Sequence, residues 1–156
     1  MDVTLIDGRS GSGKSDLASL LVSLDDRYQL VRLDDVYPGW DGLLHASLAV
    51  PRMIDTLQWQ AWDWAGDQPG ARHTLDPDRP LIIEGVGALS RESRRRASTA
   101  LWLEADDTTR RSRALARDGE TFRPHWERWA AQERAFIERE HPQSLADVTV
   151  VTAAAG

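Results

Sequence analysis

Eight consecutive residues, Gly8-Arg9-Ser10-Gly11-Ser12-Gly13-Lys14-Ser15, hold the chain's strongest chemical signal. They fit G-x-x-x-x-G-K-[ST] at every fixed position, a spacing suited to the phosphates of a nucleotide. Glycines let successive backbone N–H groups turn inward around phosphate oxygens. A helix starting directly after the loop adds its unpaired donors and its dipole at the same point. In that pattern Lys14 reaches the β- and γ-phosphates and the Ser15 hydroxyl ligates Mg²⁺. Gly8 through Ser15, with Asp16 on the first helical turn, are the expected nucleotide-binding residues. Lys14 is also the only lysine, since every other one of the 19 basic residues is arginine. Arginine substitutes for lysine on most surfaces, but poorly where a slim point charge must enter a phosphate cradle.

Two acidic positions stand at the ends of apolar runs. Asp34 closes Tyr28-Gln29-Leu30-Val31-Arg32-Leu33, where a carboxylate is able to take a proton from an attacking hydroxyl or hold a metal-bound water. A plain turn or cap role fits the same spacing. Glu84 follows Leu81-Ile82-Ile83, and an ionised group there needs a partner, which Mg²⁺ supplies. Arg110, Arg113 and Arg117 recur on one helix face, where three cations are placed to clamp polyphosphate; a solvated face is the plainer alternative. Arg91, Arg94, Arg95 and Arg96 read as an ordinary solvated face. Among the seven tryptophans, Trp59, Trp62, Trp126 and Trp129 form i, i+3 pairs typical of core, whereas Trp40 and Trp64 are candidates to stack on a planar substrate. The four histidines show no metal-ligand spacing, and the absence of cysteine excludes disulfides, thiolate metal sites and Cys nucleophiles.

The elements that must position these residues alternate in type. Val3-Thr4-Leu5-Ile6 reads as a buried strand before the glycine loop, and Leu17, Leu20, Leu21 and Leu24 follow it as a helical apolar stripe. Further strands are expected at Tyr28–Leu33, Leu81–Ile83, Ala100–Leu103 and Val148–Val151. Helices are expected from Pro51 to about Ala65 with the proline in the first turn, over Leu89–Ala97, from the Asp106-Asp107 cap to Arg117, and from Pro124 to Glu140. Gly66–Pro80, with three prolines and Gly70, reads as a loop. Such alternation implies a parallel sheet with helices on both faces, and ligands collect at the strands' C-terminal ends. Gly8–Ser15, Asp34 and Glu84 all fall at that edge. At 156 residues the chain is expected to be one domain. A net charge of −6 argues against a nucleic-acid surface. With no signal-peptide pattern and no run of about 20 apolar residues, a soluble, cytoplasmic protein without membrane contacts is expected.

Taken together, these segments resemble the uridine kinase-like group of P-loop small-molecule kinases. Gly8–Ser15 looks like that group's ATP loop. Asp34-Asp35-Val36-Tyr37 is similar to its D-x-F-Y motif, which implies that Asp34 is the catalytic base; Val36 stands where the motif has Phe. Leu81-Ile82-Ile83-Glu84-Gly85 is similar to its strand-plus-E-G motif, which implies a Mg²⁺ role for Glu84 beside Ser15. Thr109–Asp118 resembles its lid helix, matching at Arg110, Arg113 and Arg117 and departing at Arg111 and Ala114. Ala146-Asp147-Val148-Thr149-Val150 is similar to its closing strand. The resemblance implies a three-layer α/β/α fold whose five-stranded parallel sheet has the order 2-3-1-4-5, with a helical lid, and catalysis by Lys14, Asp34, Arg110, Arg113 and Arg117. It implies transfer from Mg-ATP to a small-molecule acceptor, foremost a nucleoside. A nucleoside monophosphate kinase, a sugar-acid kinase and a nucleotide-binding regulator without transfer are the alternatives. The absence of asparagine rules out an N-K-x-D guanine motif.

Overall fold

The computed structural model describes residues 1–153. In chain order the elements are β1 (Val3–Gly8), α1 (Lys14–Leu24), β2 (Gln29–Arg32), α2 (Leu43–Thr56), β3 (Gln58–Asp63), β4 (Gln68–Thr74), β5 (Leu81–Glu84), α3 (Arg91–Arg94), β6 (Thr99–Glu104), α4 (Asp107–Asp118), α5 (Trp126–Glu140), α6 (Pro142–Leu145) and β7 (Val148–Val151). Five strands form one parallel sheet in the order β2-β5-β1-β6-β7. β3 and β4 pair separately as an antiparallel hairpin.

The period-two pleat explains the layers. On β1, Leu5 enters the larger core with α2 and α5, while its neighbour Ile6 enters the smaller core under α1. β5 repeats this, with Leu81 and Ile83 on the first face and Ile82 on the second. A strand covered on both faces reads as a continuous apolar run, which is why Leu81-Ile82-Ile83 shows no alternation in sequence. Each such side chain contributes roughly 1.5–3 kcal/mol on burial. The central strands therefore hold the sheet, and β7 at one edge leaves Val148 and Val151 exposed.

Three local expectations are revised. α2 starts at Leu43, so Pro51 lies inside the helix rather than in its first turn. Leu43, Ala46, Ser47, Val50 and Met53 are buried at helical spacing, and their packing overrides the proline. The stretch from Gln58 to Asp63 is a strand, and its partner β4 lies in the segment read as a loop. Trp59 and Trp62 are thus two strand residues; Trp59 stacks on His73 across the hairpin at 4.3 Å. Finally, Leu20 and Leu24 of the expected α1 stripe are exposed, and Ala18 with the partly buried Leu17 and Leu21 meets the sheet instead.

Candidate functional site

Parallel register brings the polar strand ends to one level. Ile6 lies beside Glu84, Glu84 beside Arg32, and Gly8 beside Leu103. The glycine loop leaves the C-terminal end of β1 and enters α1 at Lys14, with Gly13 as the N-cap.

The loop is held from outside. Arg110 donates to the Ser10 carbonyl at 3.3 Å, Arg113 to the Gly11 carbonyl at 3.4 Å, and the Thr152 hydroxyl to the Ser12 carbonyl at 2.8 Å. With the carbonyls drawn outward, Ser12 N donates to the Arg9 carbonyl at 3.1 Å, which closes the loop into a tight turn. At Gly11, φ is +79° and a Cβ would collide with the Arg110 backbone, so only glycine permits α4 to approach this closely. A second restraint comes from Glu133 on α5, a buried carboxylate with 1% exposure. It accepts from Arg9 Nε at 3.0 Å, Ser10 N at 2.8 Å and Ser10 Oγ at 2.9 Å.

Two of the three expected phosphate-clamping arginines contact carbonyls of the glycine loop. The buried Arg110 pairs with Asp107 at 2.6 Å and braces the loop. Arg113 also donates to Thr152 Oγ1 at 2.9 Å and to the Ala153 carbonyl. Both guanidiniums are occupied by oxygen acceptors behind the loop, which a helix face alone does not reveal. Arg117 faces the open side. Burial alone would lower its pKa, but the hydrogen bond to Asp118 and the charges of Asp34 and Glu84 raise it further above the arginine range.

Two cavities meet at the loop. One groove, of about 420 Å³, is lined by Gly11, Gly13, Lys14, Ser15, Asp16, Arg113 and Arg117. The other, of about 430 Å³, contains Asp34, Glu84 and Asp118 with five aromatic residues, Tyr37, Trp40, Trp64, Phe122 and Trp129. Lys14, Ser15 and Arg117 line both. Asp34 sits on a short 3₁₀ turn at Leu33–Asp35 that ends β2, and the hairpin tip anchors this turn because Trp64 Nε1 donates to the Asp34 carbonyl at 2.8 Å. Tyr37, at the end of the same motif, donates to the Val86 carbonyl at 2.6 Å and ties the turn to the loop after β5. In that loop Gly85 has φ +146°, and a Cβ there would meet the Leu33 side chain at 2.5 Å. Close passage of the β2 turn thus explains the glycine after Glu84. Gln132 of α5 completes the aromatic wall, donating to the Trp40 carbonyl at 2.6 Å and accepting from Leu43 N at 3.3 Å.

Charge at the cavity floor is balanced closely. Burial raises the Glu84 pKa, opposed chiefly by Lys14; Ser15 donates to it at 3.0 Å and Arg32 at 3.2 Å. Behind it, Asp7 is fully buried and accepts from Gly8 N at 2.7 Å, Leu89 N at 2.9 Å and Gly87 N at 3.2 Å. Burial pushes its pKa up to about 7, against those amides and Lys14.

The chain's residues fit a magnesium nucleotide. Lys14 Nζ donates to the Arg9 carbonyl at 2.9 Å, which keeps the ammonium in the loop. Ser12 Oγ is buried without a hydrogen-bond partner among the described residues. Glu84 and Ser15 offer hard oxygen ligands, but no group of three or more His, Cys, Asp or Glu among the described residues is arranged to hold a metal. That suits Mg²⁺, which is held by one or two carboxylates together with phosphate oxygens.

Sequence reasoning missed Glu133, Gln132, Thr152 and the buried state of Asp7. Glu133 had a readable signal, as it occupies a core position in the stripe Trp126, Trp129, Ala130, Glu133, Phe136. An ionisable residue in such a stripe has a buried partner. Thr152, beyond the last strand, had none.

No protein-family model matches the chain, and no curated protein matches it in sequence. Solved structures do match in fold. A structure described as a possible uridine kinase from Bacillus stearothermophilus aligns at a TM-score of 0.63 and 20% identity, over 96% of this chain and 88% of that one. Shikimate kinase from Acinetobacter baumannii, in complex with shikimate, aligns at 0.59 and 14% identity, over 99% and 86%. A gluconokinase from Sinorhizobium meliloti aligns at 0.52 and 15% identity, over 99% and 83%. The chain has the fold of these P-loop kinases.

Proposed function

We propose that the chain transfers the γ-phosphoryl group of Mg-ATP to a hydroxyl of a small molecule with a planar ring, as in a nucleoside. One observation carries this reading. Two cavities, one against the glycine loop and one walled by aromatic rings, share Lys14, Ser15 and Arg117. A regulator that only binds nucleotide has no need of the second.

Mg-ATP supplies the transferable phosphoryl group and the metal's share of charge neutralisation. Amides of the glycine loop bind phosphate oxygens, and Lys14 reaches the same phosphates. Ser15 and Glu84 hold the metal, with Asp16 in the adjoining groove. Arg117 stabilises charge that develops between donor and acceptor. Asp34 orients the acceptor hydroxyl and takes its proton. Arg110 and Arg113 act through the loop they brace.

The test is ADP release with Mg-ATP against a panel of nucleosides, nucleoside monophosphates and sugar acids. Asp34→Asn should keep nucleotide affinity and lose roughly 10²-fold or more in transfer. Lys14→Ala should lose transfer as well. Unchanged transfer in Asp34→Asn would remove that residue as base. Tight nucleotide binding with no stimulation by any panel member would favour the regulator.

A further inference from the structure

The acceptor half of the second cavity has a charge pattern of its own. Its ionisable lining is Asp34, Glu84 and Asp118 against Lys14 and Arg117. Both cations also line the nucleotide groove, and Arg117 holds Asp118 at 3.0 Å. With phosphates taking up the cations and Glu84 given to the metal, Asp34, Asp118 and aromatic surface remain for the acceptor. Although the chain is rich in arginine, only Arg117 lines this cavity among the described residues. Arg128, next to Trp129 on α5, is paired with Asp41. An anionic acceptor would need a guanidinium or ammonium of its own. Burial holds the Tyr37 hydroxyl well above its ordinary pKa, and Asp34, Asp7, Glu84 and Glu133 all add to the effect.

The rings pack on one another, and Trp64 is the most exposed of them. Trp40 packs edge-on against Trp64 at 5.2 Å and Phe122 at 5.3 Å. Outside the cavity it already stacks a flat heterocycle, the His125 imidazole, at 4.5 Å and 10°. Indole faces attract cations through their quadrupole.

We propose that the acceptor is a flat-ring alcohol carrying a positive charge, held against Trp40 and Trp64 with its hydroxyl toward Asp34. This rests on the kinase reading and narrows it, setting aside nucleoside monophosphates and sugar acids.

Three probes of similar shape and different charge test it: N-methyl-para-(hydroxymethyl)pyridinium, para-methylbenzyl alcohol and para-(hydroxymethyl)benzoate. Binding is read by tryptophan fluorescence with Mg²⁺ and a non-hydrolysable ATP analogue present. The cation should bind about tenfold more tightly than the neutral alcohol, and the benzoate most weakly. The cation's lead should shrink as salt screens the carboxylates. Trp64→Leu, at a ring already 39% exposed, should cut that lead, and its affinity for the ATP analogue shows whether the variant is folded. Equal binding of cation and neutral alcohol, preference for the benzoate, or binding of none of the three would overturn the assignment. Cation preference without ADP release from Mg-ATP would keep the cavity's ligand class, a cationic flat-ring alcohol, and remove the kinase reading.

Discussion

At the residue scale, Asp7 is the buried group whose protonation has the widest reach. It titrates near 3.8 when exposed and at about 7 when folded. Between those values the folded chain keeps a proton that the unfolded chain has released. Stability therefore falls as pH rises through this window, and the full cost is present above about pH 7. Asp7→Asn removes the titration and keeps an oxygen acceptor for the amides of Gly8 and Gly87, at the cost of the bond from Leu89 N. Urea unfolding between about pH 4 and pH 7 should show the parent losing stability faster than the variant, by up to roughly 1.4 kcal/mol per pH unit. Parallel profiles would show that Asp7 ionises normally. In sequence, Asp7 reads only as an interruption of the first apolar run. The three amides that receive it come partly from residues some eighty positions away, which no local pattern records.

At the element scale, sequence and structure agree where local chemistry governs and part where tertiary packing does. The start of α1 at Lys14, the apolar centre of β5 and the Asp106 cap, which accepts from Thr109 N at 2.8 Å, are set by neighbours in the chain. The hairpin was read as helix and loop because Trp59 and Trp62 match a helical spacing and three prolines crowd the following segment. The strands pair with each other, Gln58 with Thr74 through Asp63 with Gln68, and the anchoring of Trp64 on the Asp34 turn reaches outside the hairpin. The arginines of α4 were legible as one face, but not which of them turns to the loop's back and which to the cavity. α2 gives the element-scale prediction. Pro51 has no N–H to offer the Ser47 carbonyl, one turn earlier in the helix. Pro51→Ala should restore that bond and raise stability by about 1 kcal/mol, or about 3 °C in Tm by calorimetry. A lower Tm would mean that proline's stiffening of the unfolded chain outweighs the missing bond.

At the scale of the whole molecule, the metal and the nucleotide should bind as a unit. Glu84 and Ser15 alone do not make a cage, and Arg32 competes for the same carboxylate at 3.2 Å. Mg²⁺ alone should leave Tm unchanged, while Mg²⁺ with an ATP analogue at 100 times its Kd should add about 2.7 kcal/mol. Lys14→Ala should abolish that gain. Stabilisation by Mg²⁺ alone would point to a metal site independent of phosphate.

The bracing of the glycine loop also has a consequence in time. The groups that hold Ser10, Gly11 and Ser12 lie 100, 123, 102 and 140 positions further along the chain, at Arg110, Glu133, Arg113 and Thr152. The loop is synthesised long before these groups, and its Ser10, Gly11 and Ser12 carbonyls have no such partners until α4 and the residue after β7 arrive. Closing contacts of such sequence separation is the slow part of folding. The loop therefore reaches its final geometry only once Arg110, Arg113, Glu133 and Thr152 have all docked against it.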